Sequence, residues 1–181
     1  TLGTASLRRG AMAKRLRPDL NLTLLRGNVE TRLRKAESGE VGATLLALAG
    51  MKRLGLAARA TAILDIDDFL PAVGQGAIGI TTRTEDHKTR VALGAILHDD
   101  TCLALTTERA FLRVLDGSCR TPIAGHAHVA NGKIHFRGMV LREDGSESFE
   151  VSDSGAPDDA ELIGTRAGQH LLDTMPANVL P

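Results

Sequence analysis

One thiol and four arginines are the side chains of this 181-residue chain best suited to chemistry. Cys119 lies in Asp116-Gly117-Ser118-Cys119-Arg120-Thr121-Pro122, where glycine and serine leave room around the sulfur and Pro122 stiffens the exit. A thiol so placed can be a nucleophile, an attachment point for a prosthetic group, or a small hydrophobe; unpaired cysteines are most often the last of these. Arg8 and Arg9 follow Ser6 at a predicted helix start, where free backbone N–H groups and the helix dipole favour anions. Arg26 stands on a turn after a predicted strand, and Arg32 lies more than one helical turn further on. Ligands of open α/β sheets bind beyond the carboxyl ends of the strands. Guanidinium groups there would grip several carboxylates in bidentate forks, and phosphate equally well. On spacing alone, surface arginines in weak ion pairs remain the competing reading.

Other reactive side chains give less. His126, His128 and His135 alternate along predicted strands, so two can share a face, but no cysteine or carboxylate stands at a supporting metal-ligand spacing and no metal site is assigned. Cys102, among Leu103, Ala104 and Leu105, reads as helix core. Ser6 has no evident His–Asp partners, which leaves a hydrolase triad unsupported.

The elements that must position these groups follow from periodicity and caps. A helix over residues 4–17 has Ser6 as its N-cap, Asn21 to Leu25 alternates as a short strand, and Asn28 caps a second helix, Val29 to Glu37. The apolar run Ala43 to Leu48 reads as a strand buried on both faces, with a short helix near Met51. This alternation predicts a parallel or mixed sheet with helices on its faces. The three glycines of Leu70-Pro71-Ala72-Val73-Gly74-Gln75-Gly76-Ala77-Ile78-Gly79-Ile80 at 74, 76 and 79 indicate close backbone approach without a dinucleotide fingerprint. Ile78 to Thr82 reads as a strand and Thr84 to Leu97 as a helix.

From about residue 99 the rhythm changes. A helix over 100–115 leads to the cysteine loop. Ile123 to Val129 and Lys133 to Leu141 form a hairpin across Asn131-Gly132, Glu147 to Asp153 adds a third strand, and Asp158 caps a final helix over 159–173. The second half is therefore a small α+β domain with a three-stranded antiparallel sheet.

Composition bounds the function. The chain is 43% apolar and 24% charged, as in ordinary globular proteins, and no run approaches a membrane span. Two cysteines make no disulfide framework, and a reducing cytoplasm is the expected compartment. Residues 1–59 hold twelve Lys or Arg against four Asp or Glu, a net of +8, so the remainder carries −8. The basic half suits an anionic ligand. The absence of Trp and Tyr argues against nucleic acid, which stacks on aromatic platforms.

Six motifs occur in the order found in porphobilinogen deaminases, and the chain resembles that family along essentially its whole length. They are Gly3-Thr4-Ala5-Ser6-Leu7-Arg8-Arg9, Leu25-Arg26-Gly27-Asn28-Val29 with Thr31-Arg32-Leu33, Ala49-Gly50-Met51-Lys52-Arg53-Leu54-Gly55, Leu70-Pro71-Ala72-Val73-Gly74-Gln75-Gly76-Ala77, Glu108-Arg109-Ala110 and Gly117-Ser118-Cys119. The resemblance implies a three-domain fold whose first two domains are like periplasmic binding proteins. Residues 1–70 would belong to the second domain, 71–97 would return to the first, and 98–181 would form the third.

The resemblance also implies roles. Cys119 matches the cysteine that holds a dipyrromethane cofactor through a thioether, making it an anchor. Arg8, Arg9, Arg26 and Arg32 match arginines that bind the acetate and propionate groups of the cofactor and growing pyrrole chain, with Arg8, Arg26 and Arg32 the expected catalytic positions. Thr4, Ser6 and Gln75 match hydrogen-bonding positions of the same cleft, and Ala5 replaces the usual second serine. The implied reaction, a step of haem biosynthesis, deaminates porphobilinogen and adds four units to the primer, releasing hydroxymethylbilane. The family's catalytic aspartate lies in an N-terminal segment with no counterpart before Thr1. The expectation is therefore a C-terminal portion that needs that segment to turn over, monomeric when complete. A non-enzymatic module holding a small multivalent anion is the alternative.

Overall fold

The structure is a computed structural model and describes residues 1–117 and 121–180. Its first part is built on three very short parallel strands, β1 (Leu2–Gly3), β2 (Leu22–Thr23) and β3 (Ala43–Thr44), in the order β2-β1-β3. Helix α1 (Leu7–Leu16) joins β1 to β2, and α2 (Val29–Glu37) joins β2 to β3. Both helices start where their caps predict. The Ser6 side chain accepts the Arg9 N–H at 3.4 Å, and Asn28 Oδ1 accepts the Thr31 N–H at 2.8 Å. These caps fix the arginines of each first turn relative to the sheet.

β1 was not anticipated, because two residues at the start of the sequence carry no periodicity. It is the centre of the sheet nonetheless, with Leu2 in register with both Leu22 and Ala43. The expected buried strand over Ala43 to Leu48 is corrected: pairing covers only Ala43–Thr44, Ala43 is exposed, and after the irregular residues 45–47 helix α3 (Leu48–Arg53) begins at the last residue of the run. An apolar run is ambiguous between strand and helix, and here the helix took its end.

After a 3₁₀ turn at Ala57–Arg59 no helix or strand forms until α4 (His87–Gly94). The expected strand at Ile78 to Thr82 is absent, and Ile78 is 79% exposed. A strand needs a neighbour for its backbone groups, and none pairs there among the described residues. The helix expected over 84–97 shortens to α4, capped by Asp86, and its apolar positions Val91, Ile96 and Leu97 face solvent.

The second part matches its expected order closely. Helix α5 (Asp99–Val114) leads into an antiparallel sheet β4-β5-β6, made of β4 (Ile123–Ala130), β5 (Lys133–Leu141) and β6 (Ser148–Gly155). Helix α6 (Ala160–Thr174) then returns across it. Asn131 and Gly132 both have positive φ, 52° and 71°, as a two-residue hairpin turn requires. The expected cap Asp158 is corrected, because a 3₁₀ turn over Pro157–Asp159 shifts the cap position to Asp159. Cys102 is also corrected from core to exposed: α5 turns Thr107, Glu108, Ala110 and Phe111 inward, and Cys102 lies off that buried stripe. No helix among the described residues is long and apolar enough to cross a membrane.

Two apolar clusters hold the molecule together. The larger lies between α5, α6 and one sheet face, around Phe111 and Phe136, whose ring centroids are 4.9 Å apart. The smaller joins Ala11 and Met12 of α1 to Ala124, Met139 and Leu141 on the opposite sheet face, with Leu70 between them. Helices α5 and α6 approach closely because Gly164 has no side chain: a Cβ there would collide with the Thr107 carbonyl oxygen. Gly164→Ala must push the helices apart and should cost about 1–3 kcal/mol of stability, measured by chemical denaturation. Denaturation unchanged from the wild type would show that the helices do not pack this closely.

Candidate functional site

The C-terminal edge of the parallel sheet, the start of α1 and the loop 70–77 enclose a cavity of about 650 Å³. Arg8, Arg9, Thr44, Leu45, Arg59 and Gln75 are among its walls. Three positions singled out in the sequence, Arg8, Arg9 and Gln75, thus meet in one cavity across 67 residues of chain.

The two adjacent arginines have different tasks. Arg8 is 6% exposed, and its Nη1 donates to the Leu70 carbonyl at 2.6 Å and lies 3.5 Å from the Met12 sulfur. Burial, followed by the charge of Arg9, lowers its pKa to about 10. This guanidinium is largely spent on holding the loop at Leu70. Arg9 is half-buried and donates Nη1 to the Leu45 carbonyl at 2.8 Å, and its pKa is lowered first by burial and then by the charge of Arg32. Arg32 is partly exposed and donates Nε to the Gly27 carbonyl at 2.8 Å, which aims its fork from the first turn of α2. Arg9 and Arg32 therefore repel one another across the site.

No carboxylate pairs with Arg8, Arg9, Arg26 or Arg32 among the described residues. Clustered guanidiniums without counter-charges favour an anion that bridges them. Arg26 is exposed on the turn before α2 and does not line the cavity. Thr4 and Ser6 lie just outside it: Thr4 Oγ1 accepts the Ser6 N–H at 3.1 Å, and Ser6 Oγ is the α1 cap. Arg59, not singled out in the sequence, lines the cavity but is paired with Glu37.

Cys119 lies outside the described residues, as do Ser118 and Arg120. The described approach is the end of α5, where Gly117 N–H donates to the Leu112 carbonyl at 3.0 Å.

Two further groups shape the site. Glu108, on the buried face of α5, accepts the Gly74 N–H at 2.6 Å and the Ala127 N–H at 2.8 Å. Burial raises its pKa, opposed by those two hydrogen bonds. The only sequence signal for it was its place in Glu108-Arg109-Ala110. His126, His128 and His135 do share a sheet face, on the wall of another cavity of about 760 Å³. Their rings stack at 5.8 and 5.3 Å between centroids, and no cluster among the described residues could hold a metal.

The family described as "Porphobilinogen deaminase, dipyromethane cofactor binding domain" matches residues 1–91, and "Porphobilinogen deaminase, C-terminal domain" matches residues 102–173. A porphobilinogen deaminase of Nitrobacter hamburgensis is 56% identical over 172 residues, covering 95% of this chain and 54% of that protein. That of Nitrobacter winogradskyi is 55% identical, covering 96% and 55%, and that of Syntrophobacter fumaroxidans is 46% identical, covering 99% and 58%. The chain spans little more than half the length of these curated relatives.

The two arginines should separate by experiment. Arg8→Leu leaves the buried Leu70 carbonyl without its donor and should cost about 1–3 kcal/mol of stability. Arg9→Ala should barely change stability but weaken binding of a small polycarboxylate, measured by calorimetry at low salt; equal losses of stability in both variants would refute the division. A second expectation concerns pH. Because the folded pKa of Glu108 is raised, its contribution to stability is fully present below its unfolded pKa and is lost as pH rises through the folded value. Glu108→Gln should flatten that part of the stability profile, whatever its absolute stability.

Proposed function

The chain belongs to the porphobilinogen deaminase family, and on that premise we propose that it is the anion-binding and cofactor-anchoring part of a transferase that builds hydroxymethylbilane from four porphobilinogen units. The observation that carries this reading is the arginine cavity: Arg8, Arg9 and Gln75 line it, Arg32 stands beside Arg9, and no carboxylate of the chain's described residues neutralises them. Each pyrrole unit brings two carboxylates. A polycarboxylate therefore fits the donor set, and a neutral ligand would leave the arginines uncompensated.

The chain's own residues divide the work. Arg9 and Arg32 pair with carboxylates of the bound pyrroles, and each carboxylate held between them relieves their repulsion. Arg26 is exposed and uncommitted, and it extends the same positive edge to later units of a lengthening chain. Arg8 acts on the site from behind, fixing Leu70 and so the entry to the Gln75 turn. Thr4 and Ser6 hold the backbone that presents Arg8 and Arg9, and their hydroxyl groups are assigned to hydrogen bonding with the bound cofactor. Cys119 anchors dipyrromethane through a thioether, which makes every addition a reaction between positioned groups. When bound, that cofactor supplies the free pyrrole carbon to which each unit is added.

The domain division belongs to the same proposal. Residues 1–70 form a periplasmic-binding-protein-like domain, 71–97 pass into another domain, and 98–181 form the α+β domain bearing Cys119. The exposed apolar side chains Ile63, Leu64, Ile78 and Ile80 of the irregular stretch, with Val91 in α4 and Ile96 just after it, support it, since such apolar surface suits coverage by further protein. Turnover is assigned to a longer, monomeric cytoplasmic enzyme that includes an N-terminal segment as partner.

Intact mass spectrometry of the freshly isolated protein should show an adduct of two linked pyrroles. Cys119→Ser should abolish it, and Cys102→Ser, which changes the exposed second cysteine, should retain it. An unmodified thiol in holoprotein would instead favour a non-enzymatic anion-binding module. Supplied with porphobilinogen, the 181-residue chain alone should give no steady production of hydroxymethylbilane; sustained product would refute the need for the longer protein.

A further inference from the structure

We propose that Glu108 is a positioning residue: its carboxylate takes the place of a neighbouring strand at the free edge of β4 and there holds the Gly74–Gln75 turn at the mouth of the arginine cavity. The inference rests on the polycarboxylate reading of that cavity and adds a residue to which no role has been attached.

The argument begins with the sheet. Among the described residues β4 pairs only with β5, so its other edge presents backbone N–H groups that need partners. Three of them alternate along the strand. Ile123 N–H donates to the Thr121 carbonyl at 2.8 Å, Gly125 N–H to the Pro71 carbonyl at 3.0 Å, and Ala127 N–H to Glu108 Oε1 at 2.8 Å. The loop 70–77 thus runs along the edge of β4 as far as Pro71 and then leaves it, and Glu108 fills the next position. Its second oxygen accepts the N–H of Gly74, where the loop turns with φ of +72°. One carboxylate bridges strand and turn.

The residue type follows from the two groups it meets. Both are donors, so a carboxylate, which only accepts, satisfies both with its two oxygens. Glutamine would point its amide nitrogen at one of the N–H groups. Glu108 is 6% exposed, and no ion pair to it occurs among the described residues. A buried charge without a counter-ion is expensive. That cost is consistent with a requirement for this geometry, which an apolar residue could not meet.

What the bridge positions is Gln75. Its backbone N–H closes the turn on the Ala72 carbonyl at 3.0 Å, and its side chain lies at the wall of the arginine cavity. The loop has one fixed end at Leu70, held by Arg8 from α1, and the other at Gly74, held by Glu108 from α5. Released at Gly74, the loop would keep its first anchor and lose the placement of Gln75 relative to Arg9. Helix α5 also precedes Cys119 in the chain, so Glu108 ties the helix before that residue to the turn at the cavity.

The test uses the 181-residue chain with Glu108→Gln, Glu108→Asp and Arg9→Ala, followed by amide hydrogen exchange and by titration with butane-1,2,3,4-tetracarboxylate at a temperature where all variants are folded. In Glu108→Gln the Gly74 and Ala127 amides should exchange about tenfold faster or more, while those of Phe136 and Val140 keep wild-type rates. Affinity for the tetracarboxylate should fall about three- to tenfold. Glu108→Asp keeps the charge but is one methylene short, and it should not restore either value. Wild-type exchange at Gly74 in Glu108→Gln would overturn the proposal. So would faster exchange with unchanged affinity, which a merely structural Glu108 would give, or full recovery in Glu108→Asp. If the wild type and Arg9→Ala both fail to bind the probe, the polycarboxylate reading is what fails, and exchange at Gly74 still decides whether Glu108 holds the turn.

Discussion

The structure depends on how eight residues of irregular chain, 70–77, are pinned between two folded parts. Leu70 is buried between α1 and the antiparallel sheet, and its carbonyl oxygen receives the Arg8 guanidinium. Pro71 accepts from the edge of β4, and Gly74 donates to Glu108. A loop has no ladder of its own to satisfy its backbone, so each buried polar group needs a specific partner. Here those partners are a cation from one part and an anion from the other. The relative placement of the two parts thus depends on contacts made by this loop as well as on the small apolar cluster beneath it.

This arrangement explains the division among the arginines. Two consecutive residues at the start of a helix point about 100° apart, so Arg8 and Arg9 cannot serve the same partner. Arg8 turns inward and loses much of its hydration, which is tolerable only because a carbonyl oxygen meets it. Arg9 stays half-buried at the cavity, where burial and then the nearby charge of Arg32 lower its pKa. A protein that leaves such repulsion uncompensated in its own fold gains affinity when an anion arrives, because binding removes a cost already present.

The segment from Ala60 through α4 to Leu97 shows the opposite case. Its apolar side chains match the pattern of a strand and an amphipathic helix, yet several are more than half exposed. Pattern specifies which face an element would bury, but burial requires an opposing surface. Among the described residues Ile78 and Val91 have none, and the strand at 78–82 does not form. The same physics that made β1 possible, two flanking strands for a two-residue segment, is missing there.

By itself the sequence determined whatever depends on near neighbours. Ser6 and Asn28 set the starts of α1 and α2, Asn131-Gly132 set the hairpin, and the long apolar stripe of α5 set the helix that carries Glu108. The ordered motifs were enough to identify the family and to point to Cys119, Arg8, Arg9, Arg26, Arg32 and Gln75. Tertiary structure decided which of those side chains are free. Arg8 and Leu70 are 62 residues apart, and Glu108 and Gly74 are 34 apart; no local periodicity encodes either pair. Whether a charged side chain binds a ligand or a backbone carbonyl depends on which atoms the completed fold brings within about 3 Å, and that distance exists only once the chain has closed on itself.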